Sequence, residues 1–182
     1  MPFTPTEFAG LLVFEPRVFE DNRGYFFESY NEAVFHEAGV TMKWVQDNQA
    51  RSSYGVVRGL HFQAPPFTQT KLIRALQGTI LDVVVDIRKE QPTYGKVFSI
   101  ELSAENKKQL LVPAGFAHGY SVLSETAEVM YKCDNLYNKG AEGGLLPTDP
   151  SLAIDWKIPA EAMVLSEKDQ VYPVLSQLQS PF

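Results

Sequence analysis

Turn signals cut the middle of the chain at short intervals, at Gly78, Pro92–Gly95, Ala104–Asn106 and Pro113–Gly115. A spacing of about 8–12 residues or a little more is the rhythm of an all-β sandwich or barrel. The segments between the cuts, Lys71–Leu76, Ile80–Ile87, Val97–Leu102, Leu110–Val112, Tyr120–Leu123 and Glu128–Cys133, read as short strands. Ile80–Ile87 is the strongest of them, because β-branched side chains fill it. Upstream, Leu11–Phe14, the aromatic run Tyr25–Tyr30 and Trp44–Gln49 read as extended. Asn31 is placed to cap a short helix over Glu32–Ala38 that Gly39 ends. After Gly143-Gly144 the chain turns loop-like, with single helical turns expected at Pro159–Met163 and Glu167–Gln170. With no repeat, linker or low-complexity segment, the expectation is one domain over residues 1–182, an antiparallel β-barrel of jelly-roll type with a few short helices.

Composition narrows the function classes. A chain of 182 residues, 45% hydrophobic and 12% aromatic, is long enough for a proper core. Its net charge of −6 argues against a nucleic-acid binder, although a local Arg and Lys cluster can still hold a small anion. Cys133 is the only cysteine, so no intrachain disulfide forms. The start, Met-Pro-Phe-Thr-Pro-Thr-Glu, lacks the pattern of a signal peptide. The longest run without Asp, Glu, Lys or Arg, Gln109–Ser124, is broken by Pro113, two glycines and His118, which is no membrane span. A cytoplasmic location is expected.

The chemistry concentrates between Arg58 and Lys71, where a guanidinium, an imidazole and an ammonium surround a Pro-Pro break. In an extended chain His61 and Gln63 share one face and Arg58 takes the other, unless a bulge re-aims it. Lys71, Ile73 and Ala75 share a face of the next strand. His61 and Lys71 beside apolar residues suit a polar site inside a barrel better than a plain core. A second stretch, Pro113-Ala114-Gly115-Phe116-Ala117-His118, resembles the Pro-x-Gly-x-x-His motif of the cupins, whose histidine binds a metal in many members. Here two histidines and an amide, with Lys71 where a carboxylate is expected, make a poor set for zinc or iron, because an ammonium repels a divalent ion. The metal-cupin reading is thereby weakened by the chain itself.

Each candidate has a bland counterpart. A lone His61 is more often a buried imidazole bonded to a carbonyl; beside Lys71, Arg58 and His118 the balance moves to function, since gathered polar groups carry a burial cost. Tyr131 fills a barrel wall or serves the site with equal weight. Asp169 by itself reads as a solvated charge. Asp82 and Asp86 share a strand face that points either into the barrel or out of it. His36 belongs on the surface of its helix, and Phe26, Tyr30 and Phe62 in the core.

Taken in order, several motifs resemble the dTDP-4-dehydrorhamnose 3,5-epimerase family, cupin-fold enzymes acting on sugar nucleotides. They are Asp21-x-Arg23-Gly24-x-Phe26-x-Glu28, Gln46-Asp47-Asn48, Arg58-Gly59-Leu60-His61-Phe62-Gln63, Gln69-x-Lys71-Leu72 and Asp82-Val83-x-Val85-Asp86-Ile87-Arg88. Pro92-Thr93-x-Gly95, Val112-Pro113-x-Gly115-Phe116-Ala117-His118-Gly119, Tyr131-Lys132-Cys133 and Ser166-x-Lys168-Asp169 complete the series over nearly the whole chain. The resemblance implies a homodimer of jelly-roll barrels without metal or organic cofactor, acting on a dTDP-4-keto-6-deoxy sugar. It implies His61 as general base with Asp169 behind it, Tyr131 as general acid, and Lys71 near the ketone oxygen. Arg23, Glu28, Gln46, Asn48, Arg58, His118, Glu142 and Lys168 fall at nucleotide-sugar-binding positions, and Tyr137 where a ring stacks on thymine. The chain departs from the family at Lys139, often a proline, and at Pro147-Thr148, which replace an aromatic and an Asn or Asp.

The residue types suit that chemistry. A hexose with a ketone at C4 has acidic hydrogens at C3 and C5, and Lys71 can stabilise the enolate left by removing one. An imidazole ionises near neutrality, and a carboxylate behind it fixes its tautomer. Inversion needs a second group on the opposite face, a place for Tyr131. Other readings are an epimerase inverting only C5 or only C3 of a related sugar, a metal-dependent cupin enzyme, and a sugar-binding barrel without catalysis.

Overall fold

The computed structural model describes residues 2–182. In chain order its strands are β1 (Phe3–Pro5), β2 (Leu12–Phe14), β3 (Phe19–Asp21), β4 (Gly24–Phe26), β5 (Gln46–Ser53), β6 (Val57–Gln63) and β7 (Lys71–Gln77). They continue with β8 (Thr79–Asp86), β9 (Val97–Ser103), β10 (Gln109–Val112), β11 (Phe116–Val122), β12 (Thr126–Cys133) and β13 (Glu142–Gly144). One helix, α1 (Glu32–Glu37), lies between β4 and β5. Asn31 caps it by accepting from the Ala33 amide at 3.1 Å.

Two large antiparallel sheets form the body, in the orders β1-β2-β10-β7-β12-β5 and β13-β6-β11-β8-β9, with β3 and β4 a separate hairpin. Their inner faces interlock: Val13, Ile73, Leu110 and Val129 of the first sheet pack with Ile80, Val84, Leu102 and Val122 of the second. No strand is shared between them, so the expected barrel is an open two-layer jelly roll rather than a closed ring. The all-β, cupin-like architecture is as expected.

The second sheet is buried on both sides. Leu81, Val83 and Val85 of β8 point outward onto Leu145, Leu152, Trp156 and the C-terminal segment. That explains a strand apolar almost throughout. The first sheet is covered only in part, where Phe35 of α1 packs with Phe14, Leu72 and Leu111. At its edge β5 alternates half-buried and exposed residues, the pattern of a strand with one wet face.

Several local expectations change. The aromatic run after Gly24 is strand only through Phe26, and Phe26 is 67% exposed rather than core, because the β3–β4 hairpin stands clear of both sheets. Tyr30 is half-buried beside Phe35, and Phe62 is buried. The segment Glu167–Gln170 is a hydrogen-bonded turn rather than a helical one. The strand expected at Tyr120–Leu123 begins earlier, at Phe116.

Candidate active site

Strands β6 and β11 build the centre. His61 is the cross-strand partner of His118, but two residues further along β11, Tyr120 pairs with Arg58, three residues back on β6. This irregularity is a bulge at Gly59, and it turns Arg58 onto the face that carries His61. Gly59 has φ +136° and lies so close to β11 that an added Cβ would sit 2.5 Å from the Gly119 Cα. Glycine is therefore required on both strands, and the bulge is locked by backbone contact.

The result is a cavity of about 610 Å³ between the sheets. Arg58, His61, His118 and Tyr120 enter from the second sheet, Lys71 and Tyr131 from the first, and Ser166, Lys168 and Asp169 from the C-terminal segment. A smaller space of about 150 Å³ shares His61, Lys71 and Tyr131 with it and is lined also by Gln46, Asn48, Gln63, Tyr137 and Glu142. Of the thirteen residues singled out in the sequence, eleven thus line one continuous site. Arg23 and Glu28 do not. Arg23 projects from the separate hairpin, paired among the described residues only with Asp21, and Glu28 accepts a bond from Asn31.

The pairings inside the site are specific. Asp169, 3% exposed at its side chain, lies 2.6 Å from Nε2 of His61. Burial opposes the charge of Asp169, but the bond with His61 holds its carboxyl below the usual range, and its own amide donates to the Ser166 hydroxyl at 3.1 Å. It reaches His61 because the C-terminal segment is pinned to β6: the Val57 amide donates to the Val164 carbonyl, and the Val164 amide to the Gly55 carbonyl, each at 2.9 Å. Gly55 leaves no room for a Cβ against the Ala162 carbonyl.

His118 has its own carboxylate, the fully buried Asp82, at 2.9 and 3.0 Å. The open question of the β8 carboxylates is thereby answered: both point inward. Asp86 binds Arg88 at 2.7 Å and accepts from Thr93 at 2.6 Å, which holds it below the usual range although burial works against it.

Burial pushes the Lys71 ammonium below the ordinary lysine range, against the pull of Cys133, Asp82 and Glu142. Its Nζ lies 5.9 Å from the centre of the Tyr131 ring. Burial likewise raises the Tyr131 phenol above its usual value, so the hydroxyl keeps its proton. At the outer end Glu142 accepts from Lys168 at 2.7 Å and from the Tyr137 hydroxyl at 3.2 Å. Lys168 holds Glu142 ionised despite burial. Arg58 donates to Ser52 at 3.0 Å.

The departures stand aside from this. Lys139 opens a single helical turn after Asn138, and the Pro147 carbonyl accepts from the Trp156 indole at 2.9 Å; none of Lys139, Pro147 and Thr148 lines the site. Sequence reasoning did not single out Tyr120, a second phenol in the cavity. Its hydroxyl is buried with no hydrogen-bond partner among the described residues. Nor are three or more His, Cys, Asp or Glu gathered as a metal cage among those residues.

A carboxylate-backed imidazole and a proton-bearing phenol reach one space from different elements, with a half-buried ammonium between the sheets. Such groups, placed in this way in a cupin-like fold, are the equipment of an isomerase that moves protons at carbon. Comparison with known proteins narrows the class. The family model described as dTDP-4-dehydrorhamnose 3,5-epimerase matches residues 5–177. An enzyme of that name from Shigella flexneri is 52% identical over 165 residues, 90% of each chain. The crystal structure of the one from Elizabethkingia anophelis NUHP1 superposes with a TM-score of 0.93 at 51% identity, covering 98% of this chain and 97% of that one. A dTDP-6-deoxy-D-glucose-3,5-epimerase from Legionella pneumophila, solved with dTDP-4-keto-L-rhamnose, gives 0.92 at 42% identity over 97% and 94%. The chain belongs to the dTDP-4-dehydrorhamnose 3,5-epimerase family.

Proposed function

We propose that the protein inverts C3 and C5 of dTDP-4-keto-6-deoxyglucose in two enolate steps, on the way to dTDP-L-rhamnose. The observation that carries this reading is the 2.6 Å contact between His61 Nε2 and Asp169. With Nε2–H donating to Asp169, Nδ1 holds the lone pair that takes the proton from carbon. The C–H electrons pass into the ring as an enolate, and the negative charge on the C4 oxygen is met by the Lys71 ammonium. Tyr131 returns a proton from the opposite face, and solvent restores the phenol while His61 releases its proton. Repeating the cycle at the other carbon completes the reaction.

Arg58, His118 and Lys168 line the cavity and suit the diphosphate; a guanidinium in particular matches phosphate oxygens in pairs. Gln46, Asn48, Glu142 and Tyr137 border the smaller space, which suits the nucleoside, with Tyr137 stacked on thymine.

The protein acts as a homodimer in this reading. Phe19, Tyr25 and Phe26 leave large apolar surfaces exposed on the β3–β4 hairpin, beside Arg23. A second copy would cover them and receive Arg23 and Glu28 at its own site. A buried single cysteine and a charged, soluble substrate suit the cytoplasm. No helix among the described residues is long and apolar enough to cross a membrane.

Incubation with dTDP-4-keto-6-deoxyglucose in deuterium oxide tests the proposal. Deuterium gained at both C3 and C5 is expected. Label at one carbon alone would reassign the enzyme as a monoepimerase, and label at neither would remove the enolate mechanism.

A further inference from the structure

One buried amide at the edge of the site bonds the chain on both sides of Tyr137. Gln63, the last residue of β6, is 6% exposed. Its Nε2 donates to the Phe67 carbonyl at 2.6 Å and to the Leu136 carbonyl at 3.2 Å. Its Oε1 accepts from the Asn138 amide at 2.7 Å. A primary amide offers two N–H donors and one oxygen, so both sides of this one are engaged.

The geometry relative to Tyr137 is what matters. Leu136 and Asn138 are its two chain neighbours, and Gln63 holds the carbonyl before it and the amide after it. Gln46 accepts from the Tyr137 amide itself at 3.0 Å. The two peptide groups that flank Tyr137 are thereby fixed by two side chains, while the Tyr137 ring stays 54% exposed at the rim. An exposed aromatic on a loop ordinarily spends conformational freedom on binding. A loop already bracketed has little left to lose.

We propose that Gln63 is a positioning residue for nucleotide recognition: it brackets the peptide groups on either side of Tyr137 and so presets the ring for the base. This rests on the reading above that Tyr137 stacks on the base. Gln63 needs no contact with the ligand for this role. The pairing of Gln63 with Glu142 across β6 and β13 adds to the preset, since Glu142 receives the Tyr137 hydroxyl.

The test is a double-mutant cycle read by the affinity of the full-length protein for thymidine diphosphate and, separately, for pyrophosphate. Gln63→Met should weaken thymidine diphosphate binding about tenfold and leave pyrophosphate within about twofold, because only the base end is disturbed. In turnover, KM should rise by much more than kcat falls. Tyr137→Ala should also weaken thymidine diphosphate binding, and Gln63→Met added to it should cost almost nothing further, as expected of residues acting through one contact. If Gln63→Met does not fold, Gln63→Glu reads the same quantity, keeping the shape and the bond from Asn138 while losing both donors. Unchanged thymidine diphosphate affinity, an equal loss toward pyrophosphate, or additive losses in the double variant would each overturn the bracket. If instead Tyr137→Ala has no effect, the stacking reading fails and takes the bracket with it.

Discussion

His61 and His118 stand opposite one another on neighbouring strands, and each has a buried carboxylate of its own within hydrogen-bond reach. The two carboxylates come from distant parts of the chain, Asp169 from the C-terminal segment and Asp82 from β8. Only the His61 ring is substantially open to the cavity, at 27% side-chain exposure against 9% for His118. The first therefore suits proton transfer and the second a fixed contact.

His61→Asn should abolish both deuterium exchange and epimerisation. Asp169→Asn should bind substrate almost normally but lose roughly 10²–10⁴ in turnover, the scale of misplacing a base or its tautomer. Single-turnover kinetics of the two variants check this. A loss below about tenfold for Asp169→Asn, about 1.4 kcal/mol, would return Asp169 to a merely structural charge.

Tyr131→Phe should keep the fold and still permit proton abstraction, while delivery from the other face suffers. Deuterium wash-in should then survive better than net epimerisation. Full epimerisation by this variant would hand the acid role to water or another residue.

Lys71 sets an expectation for pH. Its proton is lost below the ordinary lysine value of about 10.4, so a reaction needing the ammonium should decline on the alkaline side before that point. Tyr131, raised by burial, loses its proton later. The first alkaline fall in kcat/KM should thus belong to Lys71 and remain in Tyr131→Phe. For stability the sign is opposite: the unfolded chain holds this proton at pH values where the native one has released it, so rising pH through that window favours the fold. An alkaline fall that disappears in Tyr131→Phe would assign it to the phenol.

Tyr120→Phe removes a buried hydroxyl that sits beside Ser52 but makes no well-formed hydrogen bond among the described residues. Such a change is expected to stabilise the protein by about 1 kcal/mol, or about 2–4 °C in Tm for a chain of this size. Thermal unfolding of both proteins decides it. A fall in Tm of the same size would show that the hydroxyl is bonded in solution, through water.

The hairpin makes the last prediction. If Arg23 serves the partner's site, Arg23→Ala and His61→Asn are each defective alone but complement when mixed and allowed to exchange subunits. One intact site in each mixed dimer, with half the dimers mixed, gives about a quarter of wild-type activity. No recovery on mixing, with mixed dimers demonstrated by mass, would confine Arg23 to its own subunit.

Much of this was legible in the sequence because local chemistry sets it. The β-branched density of Ile80–Ile87 gave a strand, and Asn31 a helix cap, since each signal acts within a few residues. Arg58 was legible as a residue but not in direction: alternation put it opposite His61, and only the approach of Gly59 to Gly119 turns it round. Phe26 goes against expectation because hydrophobicity predicts burial, whereas the hairpin that carries it stands clear of both sheets. Asp82 and Asp86 stayed ambiguous because a two-residue period cannot say which face of a sheet meets its partner. Asp169 was found only through a familiar motif, for nothing in Ser-Glu-Lys-Asp points to a histidine 108 residues away.

That separation has a consequence for how the protein comes into being. The members carried by the strands are set once the two sheets pair, but Ser166, Lys168 and the carboxylate behind His61 arrive with the segment that docks through Val164 onto Gly55 and Val57. That segment also follows every strand of both sheets in the chain, so it is the last part of the site to be synthesised. A newly made chain should therefore show its sheets before it shows its chemistry, and catalysis reports the docking of that strap.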